Sequence, residues 1–298
     1  VVLRGGKLAG ERKTAEATRR ELAELMVGGQ LPVNQIGPAS PRDCLFELKG
    51  VSTRSLGGAA LKQISMQLRG GEITGLAGIS GNGQAALAAL ISGTLEVAEG
   101  DILVHGEKVG AWSPGAALAR GLGRIPEDRH ATGMIGDMSV AENVISEAYR
   151  SPRFSRFGFL DWKAAADFAS DIIKAYDVKC PSPDARVRLL SGGNMQKLIL
   201  GRALDGDPDI ILASQPTRGL DVGAVAYVHA RLIEARDQGA AVLLISEDLD
   251  EIQTLSDRIL VIHRGQLSRP SLRGELSVMQ LGELMAGHAH DEGASHAA

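Results

Sequence analysis

Leu190-Ser191-Gly192-Gly193-Asn194-Met195-Gln196-Lys197 is the stretch on which the fold turns, and about a dozen residues later comes the apolar run Ile210-Ile211-Leu212. Two adjacent glycines at a helix start let a backbone come very close to another group. Ser191 is placed to cap a helix predicted over residues 194–204. The first amide N–H groups of such a helix have no internal partner, and the aligned peptide dipoles add partial positive charge there, so an anion is its natural guest.

Order along the chain sharpens this. A glycine loop, Gly78-Ile79-Ser80-Gly81-Asn82-Gly83, follows a strand predicted over 72–77 and precedes a helix predicted over 84–91, which is the context a phosphate loop requires. The 190–197 stretch comes next, then the buried strand 209–213, then Ser214-Gln215-Pro216-Thr217-Arg218-Gly219-Leu220-Asp221. In this order the sequence resembles the nucleotide-binding domain of an ABC transporter, whose signature is LSGGQ. Leu190, Ser191, Gly192, Gly193 and Asn194 match it except at the last position.

The fold expected is therefore α/β: a P-loop NTPase core of the ABC ATPase type with a mostly parallel sheet, an antiparallel β subdomain and a helical subdomain. Short apolar runs at 209–213 and 241–245 suit parallel strands buried on both faces, with a crossover helix over 222–237 capped by Asp221. Strands at 45–48 and 61–68, and a hairpin around His105-Gly106, supply the antiparallel layer. Residues 128–190 are expected to be mostly helical, with 161–176 the best amphipathic segment.

Residues 1–28 resemble the chain's own end. Val2-Leu3-Arg4-Gly5-Gly6-Lys7-Leu8 aligns with Val261-Ile262-His263-Arg264-Gly265-Gln266-Leu267, and Leu22-Ala23-Glu24-Leu25-Met26 with Leu281-Gly282-Glu283-Leu284-Met285, both across 259 positions. A constant separation implies two tandem copies of one domain. The organisation expected is a C-terminal remnant of a preceding ABC domain at 1–28, a linker at 29–42, the ABC domain at 43–287 with its helical part at about 128–190, and a disordered tail at 288–298.

Composition removes other classes. With 32 basic against 36 acidic residues, a net charge of −4 and 3% aromatics, the 298-residue chain offers neither a basic footprint nor stacking platforms for nucleic acid. Cys44 and Cys180 lie outside any metal-ligand spacing, and a metal site is expected nowhere; His288 and His290 belong to the tail. No apolar run approaches the roughly 20 residues of a membrane span.

Departures from the family pattern concern chemistry. A working phosphate loop reads GxxxxGK(S/T), in which Lys reaches the phosphates and the hydroxyl binds Mg²⁺. Here Gln84 brings no charge and Ala85 no metal ligand. Where the resemblance implies Asp-Glu-Pro after the buried strand, this chain has Ser214 and Gln215, and its switch histidine is Glu247. The glutamine expected before the helical region is Glu127, followed by Asp128 and Arg129, and the adenine-stacking aromatic has only Ser55 near its place.

The pattern resembles the second, degenerate half of tandem ABC ATPases of bacterial sugar and nucleoside importers. That resemblance implies ATP as cofactor, with Mg²⁺ at the partner site. It implies nucleotide binding by Gly78, Ser80, Gly81, Asn82, Gly83, Gln84 and Ala85, a signature given in trans by residues 190–194, coupling through Glu127 and Asp128, and a D-loop at Gly219, Leu220 and Asp221. Its partners would be the first ABC domain, two transmembrane permease subunits and, indirectly, an extracytoplasmic substrate-binding protein, at the cytoplasmic side of the membrane. The alternatives are a non-transport ABC protein and a nucleotide-binding pseudo-ATPase with a structural role.

Overall fold

A computed structural model describes residues 1–4, 6–28, 36–56 and 58–287. The expected linker positions 29–35 and the tail at 288–298 lie outside the described residues. At the centre is a sheet in the order Gln266–Leu267, Arg258–His263, Glu72–Ala77, Ala241–Ser246, Ile210–Ser214, Leu122–Ile125, with Ser271–Leu272 also paired to Arg258–His263. The pairs from Arg258–His263 through Leu122–Ile125 are all parallel, and only the two short edge pairings run antiparallel.

Every residue of Glu72–Ala77, Ile210–Ser214 and Ala241–Ser246 is buried, which is why the latter two read as continuous apolar runs. Side chains alternate across the sheet and so feed two cores. On one face Ile73, Ile211, Val242, Leu244 and Val261 pack with Leu198, Ile199 and Val228. On the other, Leu212, Leu243, Ile245 and Ile262 pack with Leu87, Leu90 and Phe46.

The second core is closed by a four-stranded antiparallel sheet in the order Ile64–Arg69, Cys44–Thr53, Val97–Val104, Glu107–Lys108. This is the expected β layer, although its first strand is longer than the 45–48 run suggested and Leu61 precedes its second strand rather than opening it. The 128–190 region departs further from expectation. Its only α-helices are Val140–Ile145 and Trp162–Ala175, joined through a hairpin of Ser155–Arg156 and Phe159–Leu160 and preceded by a π turn at Arg129–Gly133. Much of it is loop held by side chains: Asn143 bonds both the N–H and the carbonyl of Ile135.

The repeated segments adopt matching structures. Val2–Arg4 and Lys7–Gly10 form a hairpin, as do Arg258–His263 and Gln266–Leu267. Helix Arg19–Val27 has a Thr18 capping box and a left-handed Gly28, and helix Val278–Ala286 has a Ser277 capping box and a left-handed Gly287. The surroundings differ: Leu3 is 66% exposed where its counterpart Ile262 is 0%, and Met26 is 53% exposed where Met285 is 8%.

One buried ion pair ties the crossover helix to the sheet. Arg236, its side chain 3% exposed, bonds Asp257 at 3.1 Å, and Asp257 also accepts from the Ile73 N–H at 2.9 Å and from Arg273 at 2.8 Å. Removing one partner strands a buried charge. Asp257→Ala should therefore lower unfolding free energy by roughly 3–5 kcal/mol, read from urea denaturation.

Candidate functional site

The parallel register brings the separated motifs to one edge. Ser246 pairs with Ala77 and Ser214 with Ile245, so the residues that follow, Gly78, Glu247 and Gln215, emerge side by side at the carboxyl ends of three adjacent strands. That edge is where α/β sheets hold ligands. Gln215 takes a positive φ of 45° as it leaves its strand; its N–H donates to the Ile245 carbonyl at 2.8 Å, and its side-chain oxygen accepts from the Glu247 N–H at 3.4 Å.

Between Gly78 and helix Gln84–Ile91 the loop is built as a backbone cradle. Gly81 faces open space with φ +86°, and Gly83 adopts φ +120° at the helix start, where no side chain caps the free amides. Ser80 is exposed beside them. Asn82 anchors the loop from behind: its carbonyl accepts from the Gly265 N–H at 2.8 Å and its side-chain oxygen from the Arg264 N–H at 3.2 Å. A Cβ at Gly83 would come within 3.2 Å of the Gly265 backbone, so the turn sits directly on the loop.

Gln84 is buried and folds back into this cradle, donating from Nε2 to the Ile79 carbonyl at 3.0 Å while its Oε1 is buried without a partner. Ala85 is exposed. The residues present fit a phosphate through backbone amides. They do not fit Mg²⁺, because Ala85 has no side-chain oxygen and Ser214 no carboxylate.

In the 190–197 stretch the helix begins earlier than expected, at Gly192, so both glycines belong to its first turn. Ser191 caps it, accepting from the Asn194 N–H at 3.4 Å. Asn194 is occupied on both sides of its amide: Nδ2 donates to Ser191 Oγ at 2.9 Å, and Oδ1 accepts from the Lys179 N–H at 2.8 Å. Leu190 is buried beneath.

Glu127 forms an ion pair with Arg218. Asp128 accepts from the N–H groups of Ala131 and His130, which hold its carboxyl below the usual aspartate range. Of the loop at 219–221, Gly219 has φ +66°, Leu220 packs against the core, and the Asp221 carboxylate caps helix Val222–Gln238 through the Ala224 N–H at 2.9 Å. Ser55 lies exposed after the first strand of the antiparallel sheet.

One cluster had no motif to announce it. Glu251 Oε1 accepts from Thr217 Oγ1 at 2.7 Å and lies 2.8 Å from His229 Nε2. Burial works to raise the Glu251 pKa, but the bonds from His229, Ser246 and Thr217 together hold it below its ordinary value of 4.5. These partners lie far apart in sequence; the one available signal was an acid within a turn of the helix start that follows Ile245-Ser246-Glu247-Asp248.

The ABC transporter family model matches residues 61–218, from before the phosphate loop to the Gln215-to-Arg218 stretch. The chain belongs to the ABC transporter family. Among relatives of this ABC chain, the nucleoside import ATP-binding protein NupA of Lactococcus lactis subsp. cremoris is 41% identical over 288 residues, covering 96% of this chain and 57% of the relative. The guanosine import ATP-binding protein NupO of Bacillus subtilis is 38% identical, covering 98% and 58%. The ribose import ATP-binding protein RbsA of Bacillus licheniformis is 34% identical, covering 93% and 54%. The chain thus spans little more than half the length of these curated relatives. A nucleotide-free ATP-binding cassette from an ABC transporter superposes with a TM-score of 0.64 at 20% identity, covering 78% of this chain and 93% of that one, which fixes the ABC ATPase fold.

Because its pKa is lowered on folding, Glu251 stabilises the protein fully above pH 4.5, and that contribution is lost as pH falls through the folded value. Glu251→Gln should cost about 1–3 kcal/mol at pH 7. In melting curves across pH, the gap from wild type should close below pH 4.5.

Proposed function

We propose that this chain is the second, degenerate cassette of a tandem ATP-binding protein that drives import of a nucleoside or simple sugar. It lends its signature to the ATP site of the first cassette and relays closure to the permease. The observation that carries this is an asymmetry: the signature helix keeps its Ser191 cap and both glycines, whereas in the chain's own phosphate loop Gln84 folds inward to the Ile79 carbonyl, Ala85 brings no side-chain oxygen and Ser214 no carboxylate for Mg²⁺.

Two further observations support it. The relatives are named for nucleoside, guanosine and ribose import, and the chain spans 57% or less of NupA and RbsA and 58% of NupO. The hairpin and helix at the start repeat those at the end, cap for cap, with Leu3 and Met26 exposed where the later copy buries its counterparts, Ile262 in a strand and Met285 in a helix. The preceding cassette is the natural cover for that face. ATP would bind between the first cassette's phosphate loop and residues 190–194, with Mg²⁺ held there by the partner. Glu127, Asp128 and the segment after them would meet two permease subunits on the cytoplasmic side, and these in turn would serve an extracytoplasmic binding protein.

The direct test is Ser191→Arg in the complete tandem protein. A bulky cation would fill the place of the terminal phosphate, and ATP turnover should drop by about 10²-fold or more, the scale of losing preorganised donors; wild-type turnover would sink the proposal.

Repair of the loop is a second prediction. Gln84→Lys with Ala85→Ser should raise ATP affinity of the 298-residue chain about tenfold, in a Mg²⁺-dependent way, by calorimetry. Hydrolysis should stay at background, because Ser214, Gln215 and Glu247 still lack the metal-orienting carboxylate, the base and the switch histidine.

A further inference from the structure

Three segments, the coupling stretch at 127–129, the loop at 218–219 and the start of the signature helix, converge on one guanidinium. Arg129 opens the π turn after Glu127 and Asp128, and Asp128 Oδ1 fixes that turn by accepting from the next two N–H groups at 2.8 and 2.9 Å. From there Arg129 donates from Nη1 to the Arg218 carbonyl at 2.9 Å and from Nη2 to the Gly219 carbonyl at 3.4 Å. Its other edge lies against the signature: a Cβ at Gly192 would be 3.4 Å from Nε, and one at Gly219 would be 3.2 Å from Nη2. Both glycines are thus the width of the slot in which the planar group sits. Nε is buried there without a hydrogen-bond partner.

The same loop is gripped from its other side, where Thr217 donates to the buried Glu251 at 2.7 Å. The Arg218 side chain turns back to pair with Glu127. Residues 217–219 are therefore held between a carboxylate and a guanidinium, and the guanidinium alone reaches the signature helix.

We propose that Arg129 is a positioning residue that locks the loop at 218–221 to the start of the signature helix, so that both segments meet the opposing nucleotide as one rigid unit. This rests on the reading that the signature completes a nucleotide site in the first cassette. A lysine cannot substitute, because one ammonium on a flexible stem cannot span two carbonyls and fill a planar slot. The charge also adds to the positive end of the helix dipole beside Gly192.

Hydrogen exchange on the 298-residue chain tests the lock itself, comparing wild type with Arg129→Ala and Arg129→Lys. Loss of the paired carbonyl bonds should speed exchange about tenfold in both 217–222 and 191–195 in both variants, leaving strand Glu72–Ala77 unchanged. Unchanged exchange in either segment overturns the proposal. Steady-state ATPase kinetics of the complete transporter then separate positioning from binding. Both variants should lose about tenfold to hundredfold in kcat with KM for ATP within about twofold. Recovery of kcat by Arg129→Lys would reduce Arg129 to a bare charge and overturn the lock. If the wild-type transporter itself shows no turnover, the functional reading fails, and the exchange experiment still decides whether Arg129 joins the two segments.

Discussion

Burial of three parallel strands on both faces is the constraint from which the rest follows. Glu72–Ala77, Ala241–Ser246 and Ile210–Ser214 carry mostly apolar side chains, with Glu72, Thr74, Ser214 and Ser246 the buried polar ones, so the residues free to meet a ligand are those at and just past their carboxyl ends. Register does the assembly: because Ala77, Ser246 and Ile245 with Ser214 are locked as ladder partners, the glycine loop, Gln215 and Glu247 have no choice but to share an edge. In-plane hydrogen bonding therefore sets the site geometry, and the side chains at that edge can change without disturbing the scaffold.

That separation explains which parts were legible in the sequence. Strand 72–77 and helix 84–91 were placed to the residue, because a strand-like segment after the Gly70-Gly71 turn, a glycine loop and an apolar helix follow one another without ambiguity. Strand Leu122–Ile125 escaped notice, since Gly123 and Arg124 dilute a four-residue run; Gly123 is there because a Cβ would strike the Ala203 carbonyl at 2.4 Å. Residues 128–190 were expected to be mostly helical and proved to hold two α-helices, a hairpin and long loops, where contacts such as Asn143 to Ile135 replace repetitive backbone bonding. The substitutions at Gln84, Ala85, Ser214 and Gln215 were plain in the sequence, but that Gln84 turns inward to the Ile79 carbonyl was not.

Long-range side-chain links were the least legible features. Arg129 reaches a carbonyl 89 positions away, and Glu251 meets a threonine 34 positions back and a histidine 22 positions back. None of these three spacings falls within a single helix or strand, so nothing in the local pattern marks them. They are consequences of topology: parallel strands connected by crossovers place sequence-distant loops side by side.

The turn at Arg264-Gly265 gives the molecule a temporal property. Its two amides hold Asn82, and its glycine lies against Gly83, so the phosphate loop is braced by residues some 180 positions further along the chain. A chain leaving the ribosome at about 5–20 residues per second makes its glycine loop many seconds before it makes the brace. Until that last hairpin has been synthesised and laid beside strand Glu72–Ala77, the cradle cannot take its final shape. Maturation of the loop is thereby tied to completion of the sheet, and a truncated product would carry the motif without the conformation.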